Sequence, residues 1–448
     1  MSFQPYVRTD MLPEKAPPST ASGPIAWMRE NLFATIPNAI LTIVAVYCIF
    51  SVLHEILPWA IQSSWAAESL AQCRDVIRET YGPDASGACW AVIRERYLQL
   101  LYGFYPPFPG GEANGSVAVE GSMMAYFRVN LTFVFMLIAI APLLFNSLPR
   151  KMIWFSALFP FLAFWLLWGG SIWPPLMVLA GIALGGVAYG VLSKAVSSLA
   201  GVIAALVTPV IWWLLLAGPV AGILHGIAPI GILDVATDRF GGFMLSIIIG
   251  VTGIALSLPL GILLALGRQS DMMFIKAMCV GFIEFIRGVP LITLLFVASV
   301  LLNYFLPPGT NFDLVLRVVI MVTLFASAYM AEVVRGGLAA LPTGQYEAAD
   351  SLGLDYWKAT RLITLPQALK ISIPGIVSTF IGLFKDTTLV SIIGLLDPIG
   401  LTNVIRADTN WNGIVWELYG FIALVFFLFC FSMSRYSMYL ERKLKTGH

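Results

Sequence analysis

Four charged side chains lie within stretches that are otherwise apolar, and their chemistry depends on what surrounds them. Glu284 and Arg287 lie one helical turn apart in the run FIEFIRGVPL, whereas Lys385 and Asp386 are neighbours in FKDTTL. A charge at the centre of a lipid bilayer costs at least ~2.5 kcal/mol, so these groups are expected to face the protein interior. Two uses stay open: Glu284 pairs with Arg287 or Lys385 to hold helices together, or the groups bind a charged ligand.

The other residue types that commonly carry site chemistry give little support for catalysis or metal binding. The sequence holds three histidines, and no Cys/His cluster has the spacing of metal ligands. His54 and His225 lie near the ends of apolar segments, where an interfacial structural role is favoured over catalysis. The phosphate-binding loop G-x-x-x-x-G-K-[ST] is missing, since GLDYWKAT has neither the second glycine nor the Gly-Lys pair. We therefore expect no catalytic residue, no metal site and no bound cofactor in this chain.

Cys73 and Cys89 are the cysteines that lie outside the apolar segments, at the two ends of CRDVIRETYGPDASGAC. On the outer face of a bacterial inner membrane, two such thiols predict a disulfide, and two unpaired thiols are the alternative. The same outer segment is rich in aromatic side chains, which form either a small packed cap or an interfacial belt. These aromatic residues are Trp65, Trp90, Tyr97, Tyr102, Phe104 and Tyr105.

The stretch QYEAADSLGLDYWKATRLITLPQAL, residues 345–369, is polar although apolar segments flank it. Its pattern predicts a helix, a glycine turn and a second helix. Thr343 is a candidate N-cap, Gly353 suits the left-handed residue that follows a helix, and Asp355 can cap the next helix. Pro366 is then expected to break the helix before the chain returns to the membrane.

The two helices of this hairpin, residues 343–370, present surfaces that suit a protein partner. Small side chains on the first helix, Ala348 and Ala349, would let another backbone approach closely. The second helix carries side chains that are too apolar to be left in water, namely Tyr356, Trp357, Leu362 and Ile363. A rigid knob of this kind implies a socket on another protein.

The composition identifies lipid as the solvent around these elements. The chain has 448 residues, of which 58% are hydrophobic and 11% are charged, whereas soluble domains carry roughly 25% charged residues. A net charge of +1 gives no sign of a nucleic-acid partner. Residues 1–35 are polar and rich in proline, and we expect them to form a disordered tail. The sequence predicts an all-α polytopic membrane protein.

Apolar segments long enough to cross the hydrocarbon core, ~20 residues each, predict about ten transmembrane helices. They lie near residues 36–61, 129–147, 152–169, 173–193, 198–220, 242–266, 277–304, 315–334, 374–396 and 414–436. Lysine and arginine in the short connections fall on one side if the spans alternate, which places that side in the cytoplasm. Both termini and the hairpin are therefore expected to be cytoplasmic, with the segment 63–126 on the outside.

Four ordered motifs of the second half resemble the permeases of ATP-binding-cassette (ABC) importers for polar amino acids, the histidine/glutamine-type uptake systems. They are EFIRGVPLITLLF (284–296), AYMAEVVRGGLAALPTGQYEAA (328–349), EAADSLGL followed by LPQAL and Pro374, and FKDTTLVSIIG (384–394). This resemblance covers residues 242–438. In the first half, GACW (87–90) and LYGFYP (101–106) resemble the M-type subunit of general L-amino-acid permeases.

The resemblance implies a membrane extension over residues 36–230 and a permease domain over residues 240–438. The last five of the predicted spans would form the core of a type I importer permease. It also implies a complex with an ATP-binding subunit, a second and different permease subunit, and a periplasmic amino-acid-binding protein in a bacterial inner membrane. ATP and Mg would be bound by the ATP-binding subunit.

The resemblance further implies roles for single residues. The hairpin residues that would couple transport to ATP hydrolysis are Glu347, Ala348, Ala349, Gly353, Tyr356, Leu365 and Pro366. Apart from the resemblance, the cost of placing a charge inside the membrane leaves open that Glu284, Arg287, Lys385 and Asp386 line the substrate pathway. Arg287 or Lys385 would then meet the carboxylate of the substrate.

Two other classes of function are weighed against the importer permease. A secondary transporter driven by an ion gradient often shows inverted repeats with paired broken helices. Here the halves differ, because the first has a large outer segment and the second has the hairpin and the charged spans. A membrane enzyme would depend on lone histidines. The sequence leaves open which amino acids are carried and whether the first five spans are more than a scaffold.

Overall fold

The chain forms two compact units, Met1–Ala91 and Val92–His448. The computed structural model describes residues 23–107, 126–145, 147–301, 304 and 313–444. Most of the predicted disordered tail, up to residue 22, lies outside the described residues.

Part of the predicted tail is helical, so the sequence-based expectation of disorder was wrong for helix α1 (Pro24–Asn31). Pro24 occupies the first helical position, where its fixed φ is already suitable and its missing N–H costs no hydrogen bond. At the other end, the side chain of Asn31 donates a hydrogen bond to the carbonyl of Trp27 at 2.9 Å. These local interactions at its two ends stabilise helix α1, although its polar composition predicts disorder.

A long apolar helix, α2 (Ile36–Ile61), dominates the first unit. Thr35 caps it, because its side chain accepts a hydrogen bond from the backbone N–H of Asn38. None of the side chains of α2 is buried, which suits a span surrounded by lipid. A shorter helix, α3 (Leu70–Tyr81), follows it in the more polar segment of this unit.

Six helices of 11 to 23 residues make up the first half of the second unit. They are α4 (Ala91–Tyr102), which starts at the last residue of the first unit, α5 (Phe127–Leu144), α6 (Ile153–Trp168), α7 (Trp173–Ala195), α8 (Ser198–Ile211) and α9 (Ala217–Ile227). A π-helical turn joins α8 and α9 into one run of 30 residues. The two-residue strands β1 (Gly170–Ser171) and β2 (Gly231–Ile232) pair antiparallel and are a small exception to the all-α prediction.

The second half of this unit carries the remaining helices. They are α10 (Gly242–Arg268), α11 (Met273–Gly288), α12 (Leu291–Phe296), α13 (Leu314–Ala339), α14 (Gly344–Ser351), α15 (Tyr356–Ala359), α16 (Leu365–Asp386), α17 (Pro398–Ala407) and α18 (Trp416–Leu444). Within the described residues, nine helices are long and apolar enough to cross a membrane, and the number rises to ten if the bent pair α11 and α12 is counted as one span. The observed count agrees with the prediction of about ten spans.

The helix pair α11 and α12, called the broken span below, bends by 101°, at the break that Gly288 and Pro290 beside Arg287 predict from the sequence. Pro290 lacks the N–H that would continue the helix, and a residue before proline is driven out of the helical region. Val289 accordingly has an extended backbone, with φ −109° and ψ 132°.

Glycines allow the central helices α10, α13 and α16 to pack closely. A Cβ atom at Gly261 would lie 2.6 Å from the Cβ of Met330, and one at Gly337 would lie 2.5 Å from the carbonyl oxygen of Ala368. Because lipid is as apolar as the side chains, close van der Waals packing rather than the hydrophobic effect holds such helices together.

The extension packs directly onto the permease core within the second unit. Leu98 and Tyr102 of α4 share one buried cluster with Leu245 of α10 and Leu295 of α12. The guanidinium Nη2 of Arg96 lies 2.7 Å from Oδ2 of Asp408, and both side chains are largely shielded from solvent. The extension is therefore continuous with the core at this end of the bundle.

Candidate functional site

The polar hairpin folds as two short helices that meet at Gly353, and residues 343–370 are called the coupling hairpin below. Gly353 has φ +68°, the left-handed conformation that ends α14, as the sequence predicts. Its N–H donates to the carbonyl of Asp350 at 2.9 Å. Asp355 caps α15 as predicted, because its Oδ1 accepts a hydrogen bond from the N–H of Lys358 at 2.9 Å.

Thr343 does not cap the hairpin with its side chain, so this part of the prediction was wrong. Its backbone is already helical, with φ −56° and ψ −32°, and its hydroxyl makes no capping hydrogen bond. A side-chain cap requires an extended N-cap backbone, as Asp355 has with ψ 159°. The carbonyl of Thr343 instead accepts hydrogen bonds from Tyr346 and Glu347.

Pro366 does not break the helix, contrary to the sequence-based expectation. One helical run extends from Tyr356 to Ile393, because a π-helical turn, Thr360–Thr364, connects α15 to α16. Proline is tolerated at the start of a helical segment, and the wider π-helical turn changes the local hydrogen bonding just before Pro366. The hairpin is therefore joined to the next membrane span by continuous helical structure.

The exposed surface of the coupling hairpin is unusually apolar. The exposed fractions are 73% for Leu352, 56% for Tyr356, 70% for Trp357 and 65% for Leu362. Among the other predicted coupling residues, Glu347, Ala348 and Pro366 are exposed and Leu365 is half-buried. Ala349 is 1% exposed, so it packs inside this chain. The prediction that Ala349 faces a partner protein was therefore wrong.

A local ion pair stabilises the turn between the hairpin helices. Nζ of Lys358 lies 2.9 Å from Oδ2 of Asp355. The backbone N–H of Lys358, followed by its ammonium group, lowers the pKa of the Asp355 carboxyl below its ordinary value. The capping carboxylate therefore stays ionised throughout the physiological range.

Glu284 and Arg287 meet in a larger group of charges that the sequence analysis did not assemble. The closest atoms of Glu284 and Arg287 lie 3.9 Å apart, and Arg268 lies 3.0 Å from Glu284. Glu332 contacts three arginines at 2.5 to 3.8 Å. We call this group the Glu332 cluster; its members are Arg268, Glu284, Arg287, Glu332 and Arg335.

Lys385 and Asp386 lie at the end of α16, apart from the Glu332 cluster. Within the described part of the chain they form no ion pair with it or with each other, so the predicted pairing of Glu284 with Lys385 is not observed. Lys385 is exposed and Asp386 is half-buried. The helix starts at Leu365 rather than near residue 374, so Lys385 lies further from its start than the sequence analysis counted.

Cys73 and Cys89 form a disulfide whose Cα atoms are 6.0 Å apart. Both residues are buried, with exposed fractions of 0% and 1%. Next to them the rings of Trp65 and Trp90 are stacked with centroids 6.1 Å apart. The disulfide thus lies in a small packed region of the first unit. Among the described residues, no group of three His, Cys, Asp or Glu side chains could hold a metal ion.

Comparison with known proteins identifies the family. Residues 257–446 match the family described as "Binding-protein-dependent transport system inner membrane component". The chain is 56% identical over 449 residues, covering 100% of both chains, to the glutamate/glutamine/aspartate/asparagine transport system permease protein BztC of Rhodobacter capsulatus. It is 38% identical, over 97% of both chains, to the inner membrane amino-acid ABC transporter permease protein YhdY of Escherichia coli.

Shorter relatives match less than half of this chain. The probable glutamine ABC transporter permease protein GlnM of Bacillus subtilis is 30% identical over 46% of this chain and 93% of its own length. The matching family segment falls in the second half of the chain, where the coupling hairpin and the broken span lie. With this match and the full-length relatives, the chain belongs to the amino-acid permeases of ABC importers and has their type I permease fold.

Proposed function

We propose that this permease carries polar L-amino acids, with glutamate, glutamine, aspartate and asparagine as the first candidates. The full-length relative at 56% identity is named for these four substrates. The more distant GlnM, which aligns with 46% of this chain, is named for glutamine. All four candidates carry an α-carboxylate and a polar side chain, so a cation in the pathway would suit each of them.

The coupling hairpin supports an ATP-binding subunit as the direct partner, and this is the observation that carries the proposal. Its exposed apolar side chains, Leu352, Trp357 and Leu362, are 65–73% exposed and lie in the polar stretch 345–369, before or at the start of the helical run Tyr356–Ile393. Exposed apolar groups of this kind are a common feature of binding sites for proteins. Glu347 at the start of α14 adds a charge that gives the docking its orientation.

The rest of the assembly follows from the same proposal. A second, different permease subunit would complete the membrane part, and a periplasmic amino-acid-binding protein would deliver the substrate. Arginine and lysine in the short connections favour the cytoplasm for the hairpin and both termini, in the inner membrane of a bacterium. ATP and Mg would be bound by the ATP-binding subunit alone.

We extend the proposal to the substrate pathway, which Glu284, Arg287, Lys385 and Asp386 would line. Lys385 is exposed and, among the described residues, has no ion-pair partner, so its ammonium group is the one that can meet a substrate carboxylate. Arg287, in contrast, is engaged by Glu284 and Glu332 at 3.9 and 3.8 Å.

The partner assignment is tested by tagging this chain and expressing it with the genes beside its own. After mild detergent extraction, native mass measurement should find this subunit with a different permease and two copies of an ATP-binding subunit. Recovery of the chain alone, or only with copies of itself, would overturn the proposed assembly.

The substrate assignment is tested by uptake of labelled glutamate in competition with unlabelled amino acids. The four candidates should compete, whereas leucine or lysine should not. Lys385→Gln should raise the half-saturating concentration by about tenfold, since a lost charge-assisted contact weakens binding by that order. An unchanged half-saturating concentration would remove Lys385 from the binding role.

A further inference from the structure

Glu332 is the hub of the Glu332 cluster. Its carboxylate is 17% exposed, and each of its oxygens faces arginine: Oε1 lies 2.5 Å from Arg268, and Oε2 lies 2.9 Å from Arg335. Arg335 donates from both Nε and Nη2, which fixes the carboxylate on its own helix. Arg268 comes from α10, so the hub ties α10 to α13.

Arg287 is the loosely held member of this cluster. Its Nη1 lies 3.9 Å from Glu284 and 3.8 Å from Glu332, almost midway between the two carboxylates. Arg268 contacts the same two glutamates at 3.0 and 2.5 Å. The guanidinium of Arg287 also lies 5.7 Å from the ring centre of Tyr329, which supports it from α13. A short shift would let Arg287 pair tightly with either carboxylate.

The cluster lies between two parts of the molecule that must act together in a coupled importer. Arg287 carries the last side chain of α11, just before the break at Val289 and Pro290 where the broken span bends by 101°. On the other side, α13 continues from Glu332 to Ala339, about 10 Å at 1.5 Å per residue, and leads into the coupling hairpin. There the hydroxyl of Tyr346 reaches the carbonyl of Leu338 at 3.5 Å.

We propose that Glu332 is a positioning residue for transport, which passes movement of the coupling hairpin through Arg287 to the bend of the broken span. The inference rests on the proposed function, because it assumes that the hairpin moves with the ATP-binding subunit. When α13 moves, Glu332 draws Arg287 away from Glu284 or returns it. Since Arg287 stands at the bend, the exchange changes the angle between α11 and α12.

A kinetic measurement separates this role from direct contact of Arg287 with substrate. The complete complex with its binding protein is reconstituted in lipid vesicles, and uptake and ATP hydrolysis are followed together. Glu332→Gln and Arg287→Gln should each lower the substrate taken up per ATP hydrolysed by about tenfold. The half-saturating substrate concentration should stay within about twofold of the unaltered complex.

The double variant tests whether the two residues act as one unit. If Arg287 acts through Glu332, the double variant should be no worse than either single variant. Glu332→Asp, which keeps the charge, should recover most of the lost coupling. The control is Asp75→Asn, which removes the carboxylate of an exposed ion pair with Arg78 at 3.8 Å and should change nothing.

Three results would overturn the proposal. A raised half-saturating concentration in Arg287→Gln, with independent effects in the double variant, would make Arg287 a substrate ligand instead. Unchanged uptake per ATP in both single variants would deny any role in coupling. Failure of both variants to assemble would make the cluster structural. If the unaltered complex itself shows no ATP-dependent uptake, the proposed function fails first.

Discussion

Asp397 is a fully buried carboxyl group at the start of α17, outside the membrane spans. Its oxygens accept hydrogen bonds from the N–H groups of Ile399 and Gly400 at 3.2 and 2.9 Å. Burial raises its pKa from 3.8 to about 6, and these hydrogen bonds only partly oppose the shift. The folded protein therefore holds a proton on Asp397 at pH values where the unfolded chain has released it.

Because the folded state binds this proton more tightly, the free energy of unfolding should fall as the pH rises from about 4 to about 6. Above the folded pKa the contribution of Asp397 no longer changes with pH. Relative to Asp397→Asn, which keeps the cap but cannot ionise, the protein should gain about 1 kcal/mol between pH 7 and pH 5. Thermal unfolding in detergent at both pH values measures the difference. Parallel pH dependence of the two proteins would show that Asp397 does not titrate in this range.

The disulfide of Cys73 and Cys89 gives a second prediction for single residues. A membrane-impermeant thiol label should not react with either cysteine until a reductant is added, whereas Cys73→Ser should expose Cys89 to the label. Loss of the bond should destabilise the outer segment by about 3 kcal/mol, the chain-entropy value for a loop of this length. Cys48, which is exposed in α2, must be replaced in all samples. Labelling of both cysteines without reductant would contradict the pairing.

Single residues differ in how far the sequence could predict them. The left-handed Gly353 and the cap Asp355 follow local rules that need only a few neighbouring residues. The Glu332 cluster escaped because its partners Arg268 and Glu332 are 64 residues apart in sequence and only the helix packing brings them together. Two local signals of it were the Glu-x-x-Arg spacings, that of Glu284 and Arg287, which the sequence analysis used, and that of Glu332 and Arg335, which it did not.

The turn of the coupling hairpin is an element whose shape depends on one backbone conformation. Gly353→Val should add about 1–2 kcal/mol of strain at φ +68° and misplace α15 against α14. A Cβ atom meets nothing within 4 Å, so a clash cannot explain the effect. Uptake should fall while the amount of inserted protein stays normal.

Gly353→Asn is the matched control, because asparagine tolerates the left-handed conformation and should keep most of the uptake. Equal uptake in the valine and asparagine variants would show that the backbone conformation of the turn does not matter for coupling. Equal loss in both would point to the missing glycine surface instead.

The contact between α4 and α10 gives a prediction for the extension. Gly242 has φ +60°, and a Cβ atom there would lie 2.2 Å from the carbonyl oxygen of Leu100. Gly242→Ala should therefore destabilise the protein by about 2–4 kcal/mol through strain and overpacking. Thermal unfolding in detergent measures this, with Gly336→Ala as a control that meets no atom within 4 Å. Equal stability of both variants would deny that α4 is fixed to the core.

Helices and their breaks were predictable to different extents. The length of the apolar segments was sufficient to locate the spans, because the hydrocarbon core of the bilayer admits only structures, such as helices, that satisfy their own backbone hydrogen bonds. The break beside Arg287 follows from Gly288 and Pro290 in the sequence, whereas its angle and the continuity through Pro366 depend on how neighbouring turns rearrange, which the proline alone does not reveal. In one case the residue before proline becomes extended; in the other a π-helical turn precedes the proline.

The whole molecule consists of an extension of unassigned role and a permease core that carries the exposed hairpin. Composition and the motif resemblance were sufficient for the fold and the family, because both depend on features that a single sequence carries. The packing of α4 onto the core was not predictable, since Arg96 and Asp408 are 312 residues apart. The sequence did not decide whether the extension is only a scaffold. The buried ion pair between Arg96 and Asp408 connects the extension to the core.

The most direct test of the account is uptake by the reconstituted complex in vesicles without any ion gradient. Labelled glutamate and its binding protein are supplied on the periplasmic side of the complex, and ATP on its cytoplasmic side. Uptake is then compared with and without ATP. The account predicts uptake that requires ATP hydrolysis and is lost in Glu347→Lys, which reverses a charge on the docking helix. Uptake that proceeds without ATP and follows an imposed proton or sodium gradient would contradict it.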